Sequence, residues 1–163
     1  MDKNKRMILD LLLQNSRYTN DELASMVNLN VDDVIKHIDE MKSAGIICQF
    51  TTVINENLIQ TSSIKALVEL SIRPEKDTGY DSIAKKVYCF PNVKSHFLVS
   101  GKYDFLVVVE GKDHKDIAHF VFDKLATIEN VKSTTTHFIF KSYKENGVLM
   151  EAENSVNRLP ILP

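Results

Sequence analysis

The stretch Val99-Ser-Gly-Lys-Tyr-Asp-Phe-Leu-Val-Val-Val109 decides how the second half of this chain is read. Ahead of it, Val93 to Val99 alternates as a half-buried strand does. Behind the turn, Phe105 to Val109 is an unbroken apolar run, the pattern of a central strand buried on both faces. Ser100 to Asp104 makes a tight turn between them, in which Gly101 can take a positive φ. Tyr103 and Asp104 stand at the mouth of the second strand. An aromatic hydroxyl and a carboxylate are thus held on a rigid edge, which suits a small-molecule site. The plainer alternative is a hairpin in which Asp104 serves only the turn.

Working outward, the period is two from Ile64 to Ile72, a strand ended by Arg73-Pro74. Asp81 to Tyr88 sets Ile83, Ala84 and Val87 at helical spacing, and Pro91 marks the turn out. Asp113 caps a further helix with Ile117, Phe120, Val121 and Leu125 inward. Val131 to Phe140 is a last strand. The order β-α-β-β-α-β is the split βαβ, ferredoxin-like unit, with two helices on one face of a four-stranded sheet. The other face is bare and partly apolar, so a partner is expected to cover it.

The first half has the other period. Residues 4–14 place Met7, Ile8, Leu11 and Leu12 on one helical face. Asn15-Ser16 ends that helix. Thr19-Asn-Asp-Glu22 is the capping box of a second helix carrying Leu23, Ala24 and Val27. Asn28 suits a left-handed turn, and Leu29 packs inward. Asn30 is placed to cap a third helix, with Asp32 and Asp33 favoured by its dipole. Val31, Val34, Ile35, Ile38 and Met41 form its apolar stripe, Gly45 fits its stop, and Ile46–Phe50 reads as a short strand. Three helices with two residues between the second and third spell a helix-turn-helix, and the strand makes it winged. The chain is therefore α+β: a winged helix-turn-helix over residues 1–50, a connector over 51–63, a ferredoxin-like domain over 64–147 and a tail over 148–163. The tail's end, Arg158-Leu-Pro-Ile-Leu-Pro163, is apolar and is expected to pack on a neighbour or on the sheet.

The 163 residues are 44 % hydrophobic and 26 % charged with a net charge of −2, so any pull toward nucleic acid or an anionic membrane needs a local patch. No apolar run nears the roughly 20 residues of a membrane span. The N-terminus lacks the pattern of a signal peptide. A cytoplasmic protein without a membrane partner is expected. Cys48 and Cys89 lie far apart, form no CxxC, and read as small core residues rather than zinc ligands or a disulfide. Of the five histidines, His114 and His119 miss the i, i+4 spacing of a helical metal pair. His96 and His137 fall on different strands of one sheet and are candidate neighbours with a structural or interface role. No phosphate loop, nucleophile elbow or paired-carboxylate motif is present. The sequence thus assigns no catalytic residue, no metal and no cofactor, and an enzyme is not expected.

Taken together, the two halves resemble the Lrp/AsnC, or feast/famine, family of bacterial and archaeal transcription regulators. The first half carries the likeness in Ile8-Leu-x-x-Leu12, Arg17-Tyr-Thr-x-x-Glu-Leu-Ala24, Val27-Asn-Leu-Asn30 and Gly45-Ile-Ile47. The second carries it in Val99-Ser-Gly-Lys-Tyr-Asp-Phe-Leu106, with Gly101, Tyr103 and Asp104 on the family's Gly-x-Tyr-Asp pattern. Val131-Lys-Ser-Thr-Thr-Thr136 adds Thr134 and Thr136 on two family threonine positions. The resemblance implies a winged helix-turn-helix that binds double-stranded DNA, joined to a RAM-type effector domain. It implies homodimers formed through the sheets, assembly on to octamers, and an amino-acid-like effector bound between subunits near the Gly-x-Tyr-Asp turn. Ser100, Gly101, Tyr103, Asp104, Thr134 and Thr136 are then the candidate effector residues. Asp104 would pair with an α-ammonium, backbone N–H groups of Ser100 to Lys102 would receive a carboxylate, and the threonines would add hydroxyls.

The chain departs from the family pattern on its third helix. Exposed positions that usually hold Arg carry His37, Asp39 and Glu40. Residues 1–60 hold six Lys/Arg against nine Asp/Glu. A carboxylate about 4 Å from a phosphate costs about 1 kcal/mol in high dielectric. Two functions follow. In the first, Arg17, Asn30, Lys36 and His37 contact DNA together with the wing at Gln49 and Thr51, and an oligomer adds multivalency. In the second, the protein is an oligomeric amino-acid-binding or interaction module without DNA affinity.

Overall fold

The computed structural model describes residues 1–59, 63–74 and 79–150. It divides into two compact units, Met1–Ile54 and residues from Asn55 onward. In the first, Asp2 caps α1 (Lys3–Gln14) by accepting from Lys5 N–H. The capping box of α2 (Asn20–Val27) forms as the sequence requires: Thr19 accepts from Glu22 N–H, and the Glu22 carboxylate accepts from Thr19 N–H at 2.7 Å. Asn28 turns left-handed at φ 54°, ψ 51°, and α3 (Val31–Ser43) follows three residues later. Asn30 takes the cap position of α3, but its side chain makes no cap bond and reaches Asp33 Oδ2 instead, at 3.4 Å. Ile8, Leu12, Leu23, Ala24, Val27, Val34, Met41 and Ile47 form the core. Ile35, expected in the stripe, stands 39 % exposed at the edge of the inward face.

α3 ends in a Schellman turn. Gly45 takes φ +70°, its N–H bonds Lys42 O, and Ile46 N–H bonds Met41 O at 2.9 Å. The predicted strand Ile46–Phe50 does not form. Ile47 is drawn back into the core by a second bond to Met41 O, and residues 48–55 take no regular structure. The run finds no strand to pair with among the described residues, and a lone strand has no ladder to satisfy its backbone.

The second unit carries β1 (Ile64–Ile72), α4 (Asp81–Tyr88), β2 (Val93–Leu98), β3 (Phe105–Gly111), α5 (His114–Phe120) and β4 (Val131–Ile139). A π-type turn, Val121–Leu125, extends α5. The sheet order β2-β3-β1-β4, all antiparallel, is the ferredoxin-like arrangement. Ala66, Val68, Leu70 and Ile72 of β1 and Phe105, Val107 and Val109 of β3 pack under Ile83, Val87, Ile117, Phe120 and Leu125. The apolar run of β3 is thus buried on one face within this chain. Leu106 and Val108 alternate onto the bare face and are half-buried. Glu69 and His137 share that bare face, Oε1 to Nε2 at 3.1 Å.

Three further expectations are corrected. His96 and His137 are not neighbours: β2 and β4 are opposite edges of the sheet, and pairing puts His96 beside Val107 on the helix face. Cys48 and Cys89 are both exposed rather than core residues: Cys89 is the residue that ends α4, and Cys48 begins the irregular segment after Ile47. The start of the tail is ordered into a hairpin, β5 (Lys144–Glu145) with β6 (Val148–Leu149), closed by Asn146 and Gly147 at φ 48° and 85°. Met150 is buried, and its carbonyl accepts from Asn55 Nδ2 and Asn57 Nδ2 at 3.1 and 3.2 Å. The connector's second half, residues 55–59, therefore folds with the second unit. Arg158–Pro163 lies outside the described residues.

Candidate functional site

On α3, burial of Val34 and Met41 fixes the opposite face as Asp32, Lys36, Asp39 and Ser43, spaced three or four residues apart and all exposed. Lys36 is the proposed DNA contact on that outward face, and Asn30 stands at its N-terminal end. His37 is not on it. It is half-buried on the side toward α1, with Nδ1 3.8 Å from Glu40 Oε2 and without a hydrogen bond. Arg17 lies exposed in the α1–α2 turn, and Gln49 and Thr51 lie exposed beyond the Schellman turn. Ser16 and Tyr18, on either side of Arg17, line one cavity with Asp39 and Lys42 of α3 and with Phe50, which stands between Gln49 and Thr51.

Two of the four acids of α3 stand beside a lysine. Lys5 of α1 reaches Glu40 at 2.8 Å, and the hydrogen bond from its ammonium holds the Glu40 carboxyl below the ordinary 4.5. Lys42 stands 3.6 Å from Asp39. Lys5 was not legible as a contributor, because only packing of α1 on α3 brings residues 5 and 40 together.

In the second unit, Asp104 is the best-anchored residue of the turn. Its Oδ2 accepts from Ile72 N–H at 2.7 Å and its Oδ1 from the Tyr80 hydroxyl at 2.9 Å. Its own N–H bonds Leu70 O, and its carbonyl accepts from Val99 N–H. The carboxylate thereby fastens the end of β1, the start of α4 and the β2–β3 turn to one another. Donation to this carboxylate raises the Tyr80 hydroxyl above its ordinary 10.0. Tyr80 itself gave no signal in the sequence, being 24 residues away from its partner.

Ser100 and Gly101 are exposed and Tyr103 is half-buried. Gly101 sits at φ 158°, close to extended backbone, with open space where a Cβ would stand. The N–H groups of Ser100, Gly101 and Lys102 make no hydrogen bond among the described residues. Thr134 and Thr136 are placed differently. Pairing sets Thr134 beside Leu70 and Thr136 beside Val68, on the helix-covered face at the β4 edge. Leu70 also pairs with Phe105, so Thr134 lies two strands, roughly 10 Å, from the head of β3. Within one protomer the turn and the threonines are not in contact distance.

Among the described residues no group of three His, Cys, Asp or Glu is arranged to hold a metal ion, and no helix is long and apolar enough to cross a membrane.

Comparison with known proteins bears on both units. The family model described as Lrp/AsnC ligand binding domain matches residues 65–149, and one described as winged helix-turn-helix DNA-binding matches residues 1–47. The chain is 34 % identical over 157 residues to YugG of Bacillus subtilis, an uncharacterised HTH-type transcriptional regulator, covering 96 % of this chain and 95 % of that one. It is 23 % identical over 145 residues to the leucine-responsive regulatory protein of Rhizobium meliloti, covering 89 % and 92 %. The structure of the transcriptional regulator NMB0573 of Neisseria meningitidis with L-Met superposes with a TM-score of 0.68 at 29 % identity, covering 89 % of this chain and 93 % of that one.

Proposed function

The chain belongs to the Lrp/AsnC family of DNA-binding transcription regulators, and on that premise we propose how its own residues divide the work. It is a regulator and not an enzyme. In this reading the outward face of α3, with Lys36 at its centre and Asn30 at its head, enters the major groove. Arg17, Gln49 and Thr51 touch the backbone from outside it, and His37 supports the α1–α3 packing. The effector lies against Ser100–Lys102, whose free N–H groups receive a carboxylate, while a neighbouring subunit's Thr134 and Thr136 complete the pocket. Asp104 positions that turn rather than meeting an ammonium. The protein is cytoplasmic and acts as a homodimer or a higher oligomer, on half-sites about one helical turn apart or a multiple of it.

The observation that carries the effector half is the fourfold anchoring of Asp104, which holds an exposed loop with unsatisfied donors in one place. Family membership carries the DNA half. A gel shift on duplex from upstream of its own gene tests both, across salt and with an amino-acid panel. L-Methionine leads the panel because the meningococcal neighbour holds it. Lys36→Ala should weaken binding on every sequence and reduce the salt slope by about 1. Asp39→Asn should strengthen non-specific binding and leave the slope unchanged. No shift at low salt would remove the DNA half and leave an oligomeric binding module, a reading the acids of α3 favour. An amino-acid effect that survives bulky substitution at Gly101 would move the effector elsewhere.

A further inference from the structure

A cavity of about 370 Å³ opens between α4 and the edge strand β2, on the helix side of the sheet. Its origin is a spacing on α4. Tyr80, Ala84 and Tyr88 follow one another at four-residue intervals on the face over β2, so a small side chain sits between two large ones and leaves a notch. Ile83 and Val87, on the neighbouring face, fill the core beneath and are fully buried.

What lines the notch has one chemical sense. Tyr80 meets the Phe105 ring edge-on with centroids 5.8 Å apart, and His96 meets it at 4.5 Å. Phe105 is itself 1 % exposed and backs these two rings; Tyr80 and Tyr88 are the aromatic lining, of the kind that attracts cations through the ring quadrupole. Asp81 is exposed and is one of the lining residues, the acidic one among them. The His96 Nε2 has no hydrogen-bond partner. Burial lowers the His96 pKa below 6.5, so the ring is neutral at pH 7 and repels no cation. Lys94, also on the lining, has its ammonium 3.6 Å from Glu110 Oε2. The volume falls within the range of small-molecule sites, about 300–1,000 Å³.

We propose that this notch is a second small-molecule site, separate from the Ser100–Asp104 turn, that takes an organic ammonium carried on a small apolar body. The ammonium lies against the rings and Asp81, and the apolar body lies over Ala84. Tyr80 belongs to both places: its ring is a wall of the notch and its hydroxyl donates to Asp104. An occupant therefore bears on the piece that anchors the turn.

Titration calorimetry on the full chain tests this with phenethylamine as probe and 3-phenylpropionate as the anion of like shape. Phenethylamine should bind with sub-millimolar affinity and phenylpropionate should not. Asp81→Asn, an exposed change, should weaken phenethylamine about tenfold, and Ala84→Leu, which fills the notch, should abolish binding. Lack of any phenethylamine heat up to roughly 10 mM, equal binding of the two probes, or unaltered affinity in Asp81→Asn would each overturn the proposal. None of these results depends on whether an amino acid binds at the turn.

Discussion

At the scale of single residues, Asp104 shows where a motif and its role part company. The sequence picks out the residue, since Gly-x-Tyr-Asp is local. It does not show the role, because Ile72 and Tyr80 reach it through the fold. Asp104→Ala leaves a partly buried N–H and a hydroxyl without their acceptor, so it should destabilise by about 1–3 kcal/mol in urea unfolding. Asp104→Asn, still able to accept from Ile72, should recover a good part of that. Loss of effector response in Asp104→Ala then has to be separated from loss of structure, and the Asn variant does this. His96 gives a pH signature. Its folded pKa is depressed below 6.5 by burial, so the unfolded chain binds the proton more tightly. Stability from this group is complete above pH 6.5 and is lost as the pH falls through the folded value. Melting temperature should drop between pH 7 and pH 5.5, and His96→Phe should flatten that drop. Residues whose partners are three or four positions away, such as Thr19 with Glu22, were legible in full.

Elements divide by the same criterion. Each of α1 to α5 could be placed from caps and periodicity, because its signals and its hydrogen bonds lie within a few residues. The four strands of the main sheet were legible, β1 and β2 from alternation, β3 from its apolar run and β4 from its composition, together with their order along the chain. Ile46–Phe50 carried strand composition without a partner strand, and composition alone makes no ladder. The reverse error concerns residues 144–149. Asn146-Gly147 is the commonest signal for a two-residue hairpin loop, yet the strands it joins are only two residues long. Such a hairpin depends on what holds it from outside. Asn57 Nδ2 donates to Ser142 O and Met150 O, and Lys65 sits 2.9 Å from Glu56 and 3.4 Å from Glu145. Asn57→Ala should therefore strip amide-exchange protection from residues 142–150 while β1 to β4 keep theirs. If the hairpin stays protected, Asn57 does not hold it.

For the whole molecule, the bare side of the sheet is the feature that asks for company. Leu67, Leu106, Val108, Phe97 and Ile139 share it with the Glu69–His137 pair, and Phe97 is half exposed. An apolar area of this kind marks an association surface. Val108→Asp should shift the protein to monomers in sedimentation velocity without melting the helices, and an unchanged sedimentation coefficient would place the subunit contact elsewhere. That the sheet has an open face was readable in the strand pattern, but which polar groups stand on it was not, since register sets this. The two exposed cysteines have a practical consequence. One thiol, Cys48, belongs to the first unit and the other, Cys89, to the second, and the chain contains no further cysteine and no tryptophan. A donor and an acceptor dye attached to the native protein thus form a ruler between the part assigned to DNA and the part assigned to the effector. Energy transfer across it can be followed while either ligand is added, with no residue changed.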